Sequence, residues 1–408
     1  MHPRIIIGNH GTAPQNIAAG DGPQYNMNGP GTQNNYYGST ASPVQGHKTE
    51  GLAPSRTRPL RREQFQIGLI CALPLEYDAV ALLFDEFWDE DGDPYGRAPG
   101  DTNTYTTGRI ENYNVVLALL PNMGKAAAAG AAASFRSSYS RLKLAFLVGI
   151  CGGVPGTGAE GALLGDVVIS KTVIQFDFGR QFPGKFVAKD TIEDNLGRPN
   201  KDIRGLIASF ETHLGRRRLK KKAGEYLKDL QCAAAREQHQ HNYHYLGVAE
   251  DKLFAATYQH KHRVPQSCVV CDGDGDNYCE EAARATCAGL GCDEGQLVRR
   301  QLLAVKGSLK PDEMQCPEIF IGRMASGDTV MKSGEHRDQL ARVHKVIAFE
   351  MEGAGAWDEV PCIIIKGICD YADSHKNKKW QPFAAATAAS VMKAVLGRYG
   401  STDVPTQS

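Results

Sequence analysis

Residues 362–373 read C-I-I-I-K-G-I-C-D-Y-A-D, an apolar run closed by two aspartates three positions apart. The run from Cys362 to Ile365 suits a strand buried on both faces. A plain turn would end such a strand equally well, so the carboxylates call for a reason. In largely parallel sheets, ligands are received at the carboxyl ends of the strands. Asp370 is therefore a candidate site residue, while Asp373 is expected to orient the loop or cap backbone amides.

The same pattern recurs outward from this stretch. F-Q-I-G-L-I-C-A-L (65–73), Y-N-V-V-L-A-L-L (113–120), L-A-F-L-V-G-I (144–150), G-D-V-V-I-S (165–170) and E-I-F-I-G-R-M (318–324) predict further strands. K-A-A-A-A-G-A-A-A-S-F (125–135) predicts an Ala-rich helix, and residues 380–399 carry apolar positions at helical spacing. Strands alternating with helices place the fold in the α/β class, with a mixed, largely parallel twisted sheet flanked by helices. Residues from about 200 to 316 interrupt the pattern and read as an insertion. It contains the basic stretch G-R-R-R-L-K-K-K (215–222), read as a solvated helix face, and a cysteine cluster.

The chain has 408 residues, 42% hydrophobic and 23% charged, with a formal net charge of zero. That suffices for one large or two ordinary domains, and the charge balance argues against nucleic acid or a membrane surface as partner. No stretch approaches the roughly 18 apolar residues of a spanning helix. The start, M-H-P-R-I-I-I-G-N-H-G-T, has too short an apolar run for a secretory signal. Eleven cysteines, an odd number, read as reduced thiols in a cytoplasmic protein.

The plan is then a leader at 1–64, a catalytic domain at 65–400 and a disordered tail at 401–408. Within the leader, Gly20-Asp-Gly-Pro-Gln-Tyr-Asn26 is echoed nine residues later by Gly29-Pro-Gly-Thr-Gln-Asn-Asn35, and a decayed copy starts at Gly11. Such a segment cannot bury enough apolar surface to fold alone. It is either a flexible leader or, through residues 11–38, a homotypic amyloid-like assembly motif built on Gln and Asn ladders. In the second reading it resembles the short repeats beside fungal immune-type receptors and effectors.

Four strand-end segments carry polar groups: Glu76 in I-C-A-L-P-L-E, the glycines of L-V-G-I-C-G-G-V, Glu350 and Glu352 in E-M-E-G-A-G, and C-D-Y-A-D itself. With N-M-G-K-A-A-A-A, G-D-V-V-I-S and S-G-D-T-V-M between them, they run in an order that resembles the nucleoside phosphorylase superfamily. The resemblance covers residues 65–200 and 317–400 and is strongest to the methylthioadenosine/S-adenosylhomocysteine nucleosidase branch. The form with a large insertion is similar to domains attached to fungal receptor-like proteins.

The resemblance implies roles by position. Asp370 protonates purine N7, and Glu76 orients and deprotonates the attacking water. Glu352 grips the ribose hydroxyls, with Met351 packed on the sugar. Val330 and Met331 read the base edge, Cys151 and Gly152 line the substrate, and Met123 faces its 5′ side. Lys366 stands where the branch has an arginine near the water. Arg180, with Lys185 and Arg323, is a cationic candidate for a 5′ phosphate chain. A general acid and a general base are what N-glycosidic cleavage needs, because the purine must leave without full negative charge.

Hexameric-type purine phosphorylases carry R-x-G-S-C-G, whose arginine and serine bind phosphate. Here Leu147 and Ile150 occupy those places. A dianion without such donors would be poorly compensated on desolvation. The expected function is therefore a purine nucleosidase, an N-ribosyl hydrolase acting on an adenine nucleoside or nucleotide, with ATP a candidate and immune or cell-death effector a candidate role. The alternatives are a phosphorylase and a non-catalytic adenine-nucleotide sensor. The family also implies a homo-oligomer, since a neighbouring subunit often completes the 5′ pocket.

No cofactor is expected for catalysis. In the insertion, Cys268-x2-Cys271 forms a good half-site for structural zinc, with Cys287 and Cys292 as a looser second half that Cys279 or a histidine could replace. Free thiols and a local disulfide are the alternatives. The Asp272–Asp276 run imitates a calcium loop but lacks its glycine and its closing glutamate, where Asn277 and Ala283 stand.

Overall fold

The computed structural model describes residues 58–400 apart from 157–160, 190, 192, 265–267 and 273–277. The leader repeat and the tail thus lie outside the described residues. In chain order the first half forms β1 (Ile67–Cys71), α1 (Pro74–Ala81), β2 (Glu86–Phe87), β3 (Tyr105–Ile110), β4 (Tyr113–Leu119), α2 (Lys125–Ser138) and β5 (Leu144–Gly153). Then come β6 (Val167–Gln175), β7 (Gly179–Phe182), β8 (Lys185–Ala188), α3 (Lys201–Glu211) and α4 (His213–Arg236). Short helices follow: α5 (Val269–Asp272), α6 (Glu280–Arg284), α7 (Cys287–Leu290), α8 (Gln301–Gly307) and α9 (Pro311–Met314). The chain closes with β9 (Ile319–Ser326), α10 (Gly334–His344), β10 (Val346–Glu350), α11 (Gly353–Trp357), β11 (Cys362–Asp370) and α12 (Gln381–Leu396).

The apolar runs build one mixed sheet in the order β10-β9-β6-β11-β5-β1-β4-β3-β2. β1 lies parallel to both β4 and β5, and β11 is parallel to β5, so the most apolar strands take the centre. β6 runs antiparallel to β11, and β3 antiparallel to β4. β10 also pairs antiparallel with β5, setting Phe349 opposite Gly152. That extra pairing closes β5, β11, β6, β9 and β10 into a ring, from which β1, β4, β3 and β2 extend. Closure brings the ends of β10, β11 and β5 to one place.

Strand ends differ from expectation where the site begins. β5 continues to Gly153 and β11 to Asp370, with a register shift between Ile368 and Asp370. β3, Y-T-T-G-R-I, carries too little apolar contrast to be read from the sequence, and its pairing with β4 decides it.

α12 is buried on every residue from Phe383 to Leu396, between the sheet and α4, which explains its all-round apolar composition. The inserted segment packs onto the sheet domain through α4. Leu219, Ala223, Leu227 and Leu230 join the main core, while Arg216, Arg217 and Arg218 are exposed. Among the described residues no helix is long and apolar enough to cross a membrane.

Candidate active site

Where β1 ends, Pro74 starts α1 and Glu76 occupies its first turn. Its Oε2 accepts the N–H groups of Ala72 and Leu73, each at 2.9 Å, as a first-turn carboxylate does when it closes a helix start. Its Oε1 accepts the N–H of Ile150 at 2.8 Å, tying α1 to β5. Burial pushes the Glu76 carboxyl above the ordinary range; Lys366 pulls it down, and Glu352 pushes it up again.

Gly149 is what lets Glu76 reach β5. A Cβ at this position would sit 2.2 Å from Glu76 Oε1. Gly149→Ala is therefore expected to displace the carboxylate and lower kcat about 100-fold, the scale of an ångström's misplacement. Unchanged steady-state kinetics in a folded Gly149→Ala protein would refute this placement of Glu76.

Two carboxylates follow β10. Glu350 Oε2 accepts the N–H groups of Glu352 (3.0 Å) and Gly353 (2.8 Å), which commits Glu350 to the start of α11. Glu352 instead meets Lys366 from β11, Nζ to Oε2 at 3.0 Å, both side chains almost fully buried. Burial alone would lower the Lys366 pKa, but Glu352, Glu76 and Glu350 outweigh it and hold the ammonium charged. One buried cation thus serves a group of three acids.

Asp370 ends β11. Its Oδ1 accepts the N–H of Ala372 at 2.8 Å in an Asx turn, and its Oδ2 lies 3.2 Å from Lys376 Nζ. Ala372 sits at φ +52°, a left-handed conformation that costs about 1 kcal/mol or more for a residue with a Cβ. The surroundings enforce it. Gly152 leaves room, since a Cβ there would meet Ala372 Cβ at 2.8 Å and Asp370 Oδ1 at 3.0 Å. Buried Arg337 donates to Tyr371 O at 2.7 Å and lies 3.8 Å from Asp373 Oδ2. Asp373 Oδ1 in turn accepts the N–H of His375 at 2.8 Å, a loop-holding contact. Tyr371 Oη donates to Asp251 Oδ1 at 2.7 Å and also meets Arg300, both from the 200–316 segment.

Glu76, Glu350, Glu352 and Asp370 line one cavity of about 320 Å³. Glu76, Ile150, Cys151 and Gly152 line it from the β1 and β5 ends; Met351, Glu352 and Asp370 line it from β10 and β11. Met123, Val330 and Met331 complete the wall, because the loops carrying them are pinned together. Asp328 accepts the N–H of Lys125 at 2.8 Å, and Asp177 binds Lys125 Nζ at 2.6 Å and the N–H of Asp328 at 2.7 Å.

Lys366 reaches the cavity through Glu352 instead of lining it. Arg180 and Lys185 belong to the β7–β8 hairpin, outside the cavity wall. Arg323 donates to His344 O at 2.9 Å and lines a different cavity. The cations at the cavity are instead Lys332, Lys376 and Lys378. The first lies just past S-G-D-T-V-M and the others just past C-D-Y-A-D, which is the sequence signal that could have found them.

The four cysteines expected to share a metal do not converge. Cys268 and Cys271 group with Cys279 and His262, whereas Cys292 groups with His260 and His375. Cys287 lies beside His260 Nδ1 at 3.8 Å.

Buried carboxylates thus gather at the strand ends of a partly closed α/β sheet. Residues 66–397 match the family described as the Phosphorylase superfamily, and the chain belongs to it. It is 30% identical over 347 residues to a nucleotide-binding leucine-rich repeat (NLR)-like protein of Hyaloscypha variabilis, covering 84% of this chain and 30% of that protein. It is 34% identical over 83 residues to the aminodeoxyfutalosine nucleosidase of Helicobacter pylori, covering 18% of this chain and 36% of that one. The chain thus spans about a third of the length of these relatives. Among solved structures, the 5′-methylthioadenosine/S-adenosyl homocysteine nucleosidase of H. pylori is similar at 15% identity and a TM-score of 0.46, covering 82% of this chain and 99% of that one. The futalosine hydrolase of H. pylori is similar at 17% identity and a TM-score of 0.46, covering 82% of this chain and 98% of that one.

Proposed function

We propose that the protein is a purine nucleosidase, hydrolysing the N-glycosidic bond of an adenine nucleoside or nucleotide to adenine and the ribose moiety. The observation that carries this is the meeting of buried Glu76, Lys366-bound Glu352 and Asp370 around a single cavity. Water attacks C1′ while Glu76 takes its proton. The C1′–N9 electron pair passes to the base, and Asp370 supplies a proton to N7. Glu352 accepts hydrogen bonds from the ribose hydroxyls and so stabilises positive charge developing on the sugar.

Water is favoured over phosphate as the acceptor. Leu147 is buried in β5, Ile150 gives Glu76 its backbone N–H, and Lys366 is engaged by Glu352. A phosphate beside Glu76 would meet negative charge without a committed donor. Lys332 and Lys378 are exposed at the cavity, which supports an anionic 5′ group such as the phosphates of ATP. Met123 and Val330 are 52% and 45% exposed, an apolar rim that supports completion of the pocket by a second copy. The similarity to the NLR-like protein supports an immune effector role, and the free thiols support a cytoplasmic location.

The test is product analysis with ATP, AMP, adenosine and methylthioadenosine, with and without phosphate. Adenine with free ribose or its 5′-phosphorylated form, independent of added phosphate, is expected. Ribose 1-phosphate formed only with phosphate would mark a phosphorylase, and no release of base would mark a sensor. The pH profile gives a second check. Glu76 must be ionised to act, and its carboxyl is raised by burial, so kcat/KM should fall on the acid side above the ordinary carboxylate value of 4.5. A plateau reaching down to that value would contradict Glu76 as the base.

A further inference from the structure

The His260–Cys292 segment carries far more ligating side chains than its packing can use. Its helices α5, α6 and α7 have four or five residues each, and its local core buries only Cys271, Ala282 and Leu290. Segments this small rarely hold a fold without a metal or disulfides. All the cysteines here are free thiols.

We propose that this segment and His375 together bind two zinc ions, one held by His262, Cys268, Cys271 and Cys279, the other by His260, Cys287, Cys292 and His375. In the first group the ligand atoms all lie within 4.8 Å of one another. Cys268 Sγ is 3.8 Å from Cys279 Sγ, and His262 Nδ1 is 3.4 Å from Cys271 Sγ and 3.9 Å from Cys279 Sγ. Tetrahedral zinc, with its usual bond lengths, requires edges of about 3.8 Å between sulfurs and about 3.6 Å from sulfur to nitrogen. The observed spacings match those edges and are far too long for a disulfide.

In the second group the ligand atoms of His260, Cys292 and His375 lie within 4.8 Å of one another, and Cys287 stands at its edge. His260 Nδ1 lies 3.5 Å from Cys292 Sγ and 3.8 Å from Cys287 Sγ. His260 Nε2 is 3.0 Å from Ala285 O, and a carbonyl can only accept, so the proton is on Nε2 and Nδ1 presents its lone pair to the thiols. His375 supplies the independent sign of a ligand. It is 7% exposed, and neither ring nitrogen has a hydrogen-bond partner among the described residues. Its ring is clamped against Phe254 at 4.1 Å and Tyr258 at 5.5 Å, so it cannot turn away to find one. Buried polar nitrogens are seldom left unpaired, and a metal ion would satisfy one of these. Mixed thiolate and imidazole donors in a closed tetrahedron select zinc.

The second ion would do more than fold the insertion. His375 lies five residues beyond Asp370, and the His260 N–H already donates to Ser374 Oγ at 3.1 Å. The metal would therefore fasten the inserted segment to the loop that carries Asp370.

The experiment needs no substrate, so its outcome is independent of the nucleosidase reading. The full chain, expressed in zinc-supplemented medium, is measured by plasma mass spectrometry and by zinc-edge absorption spectroscopy. About two zinc ions per chain are expected, with an average shell of about 2.5 sulfurs and 1.5 nitrogens. Cys271→Ser and His375→Ala should each lose about one ion, and the double variant both. Wild-type protein holding one ion or none, or His375→Ala retaining both, would overturn the proposal. The wild-type stoichiometry and shell decide the matter even if a variant fails to fold.

Discussion

Asp370→Asn should lower kcat for purine release about 1,000-fold and leave KM within a few-fold of the parent, the scale of losing a general acid. The substitution is informative because it spares the loop. An asparagine Oδ1 can still accept the Ala372 N–H, so the Asx turn that places residue 370 survives. What disappears is the carboxyl group itself, and with it the ion pair with Lys376. A substrate with a leaving group stable as an anion, such as a nitrophenyl riboside, needs no protonation. It should lose far less than adenosine. A variant that releases adenine at the parental rate would remove Asp370 from the mechanism, and equal losses on both substrates would indicate a structural fault in the loop.

Lys366→Met should cost about 3–5 kcal/mol of unfolding free energy, the usual penalty for leaving buried charges without their partner. Lys366 is 1% exposed, and Glu352, Glu76 and Glu350 all act on its charge. The sign with pH follows from the carboxylates. Burial already raises Glu76 and Glu350 above their unfolded values, and loss of the ammonium would raise them further. A raised carboxyl penalises the folded state at pH above its folded pKa, and protonation relieves that penalty. The deficit against the parent should therefore shrink as pH falls from about 8 towards 5, measured by urea unfolding. A deficit within about 0.5 kcal/mol at neutral pH, typical of a surface position, would mean that Lys366 does not balance the acids.

The 200–316 segment changes character between its halves. α4 is part of the core and covers α12. Asp251 and Arg300 hold Tyr371, and His260 reaches Ser374, so the remainder grips the loop after β11. A stretch that interrupts the α/β pattern in sequence is thus built around the acid loop in space.

Several features were open to reading from the chain alone. The central strands are legible because parallel, doubly buried strands need unbroken apolar runs, as from Cys362 to Ile365. Glu76, Glu352 and Asp370 were recognisable as polar residues at the ends of such runs. β3 was not, since its threonines, glycine and arginine leave no apolar run and its pairing with β4 decides it. Lys332, Lys376 and Lys378 could not be preferred over Arg180 and Lys185, because exposed cations leave no periodic trace that says which loop faces the cavity.

By itself the sequence determined the α/β class and the acids at the strand ends, since those follow from local apolar patterning, while the family entered through the resemblance of its ordered motifs. The tertiary structure alone decided that β10 pairs with β5, that Lys366 balances three acids, and that His375 lies beside His260 and Cys292 of a distant segment. These are contacts between residues far apart along the chain. Loop closure and packing set them, and neither leaves a mark on local pattern.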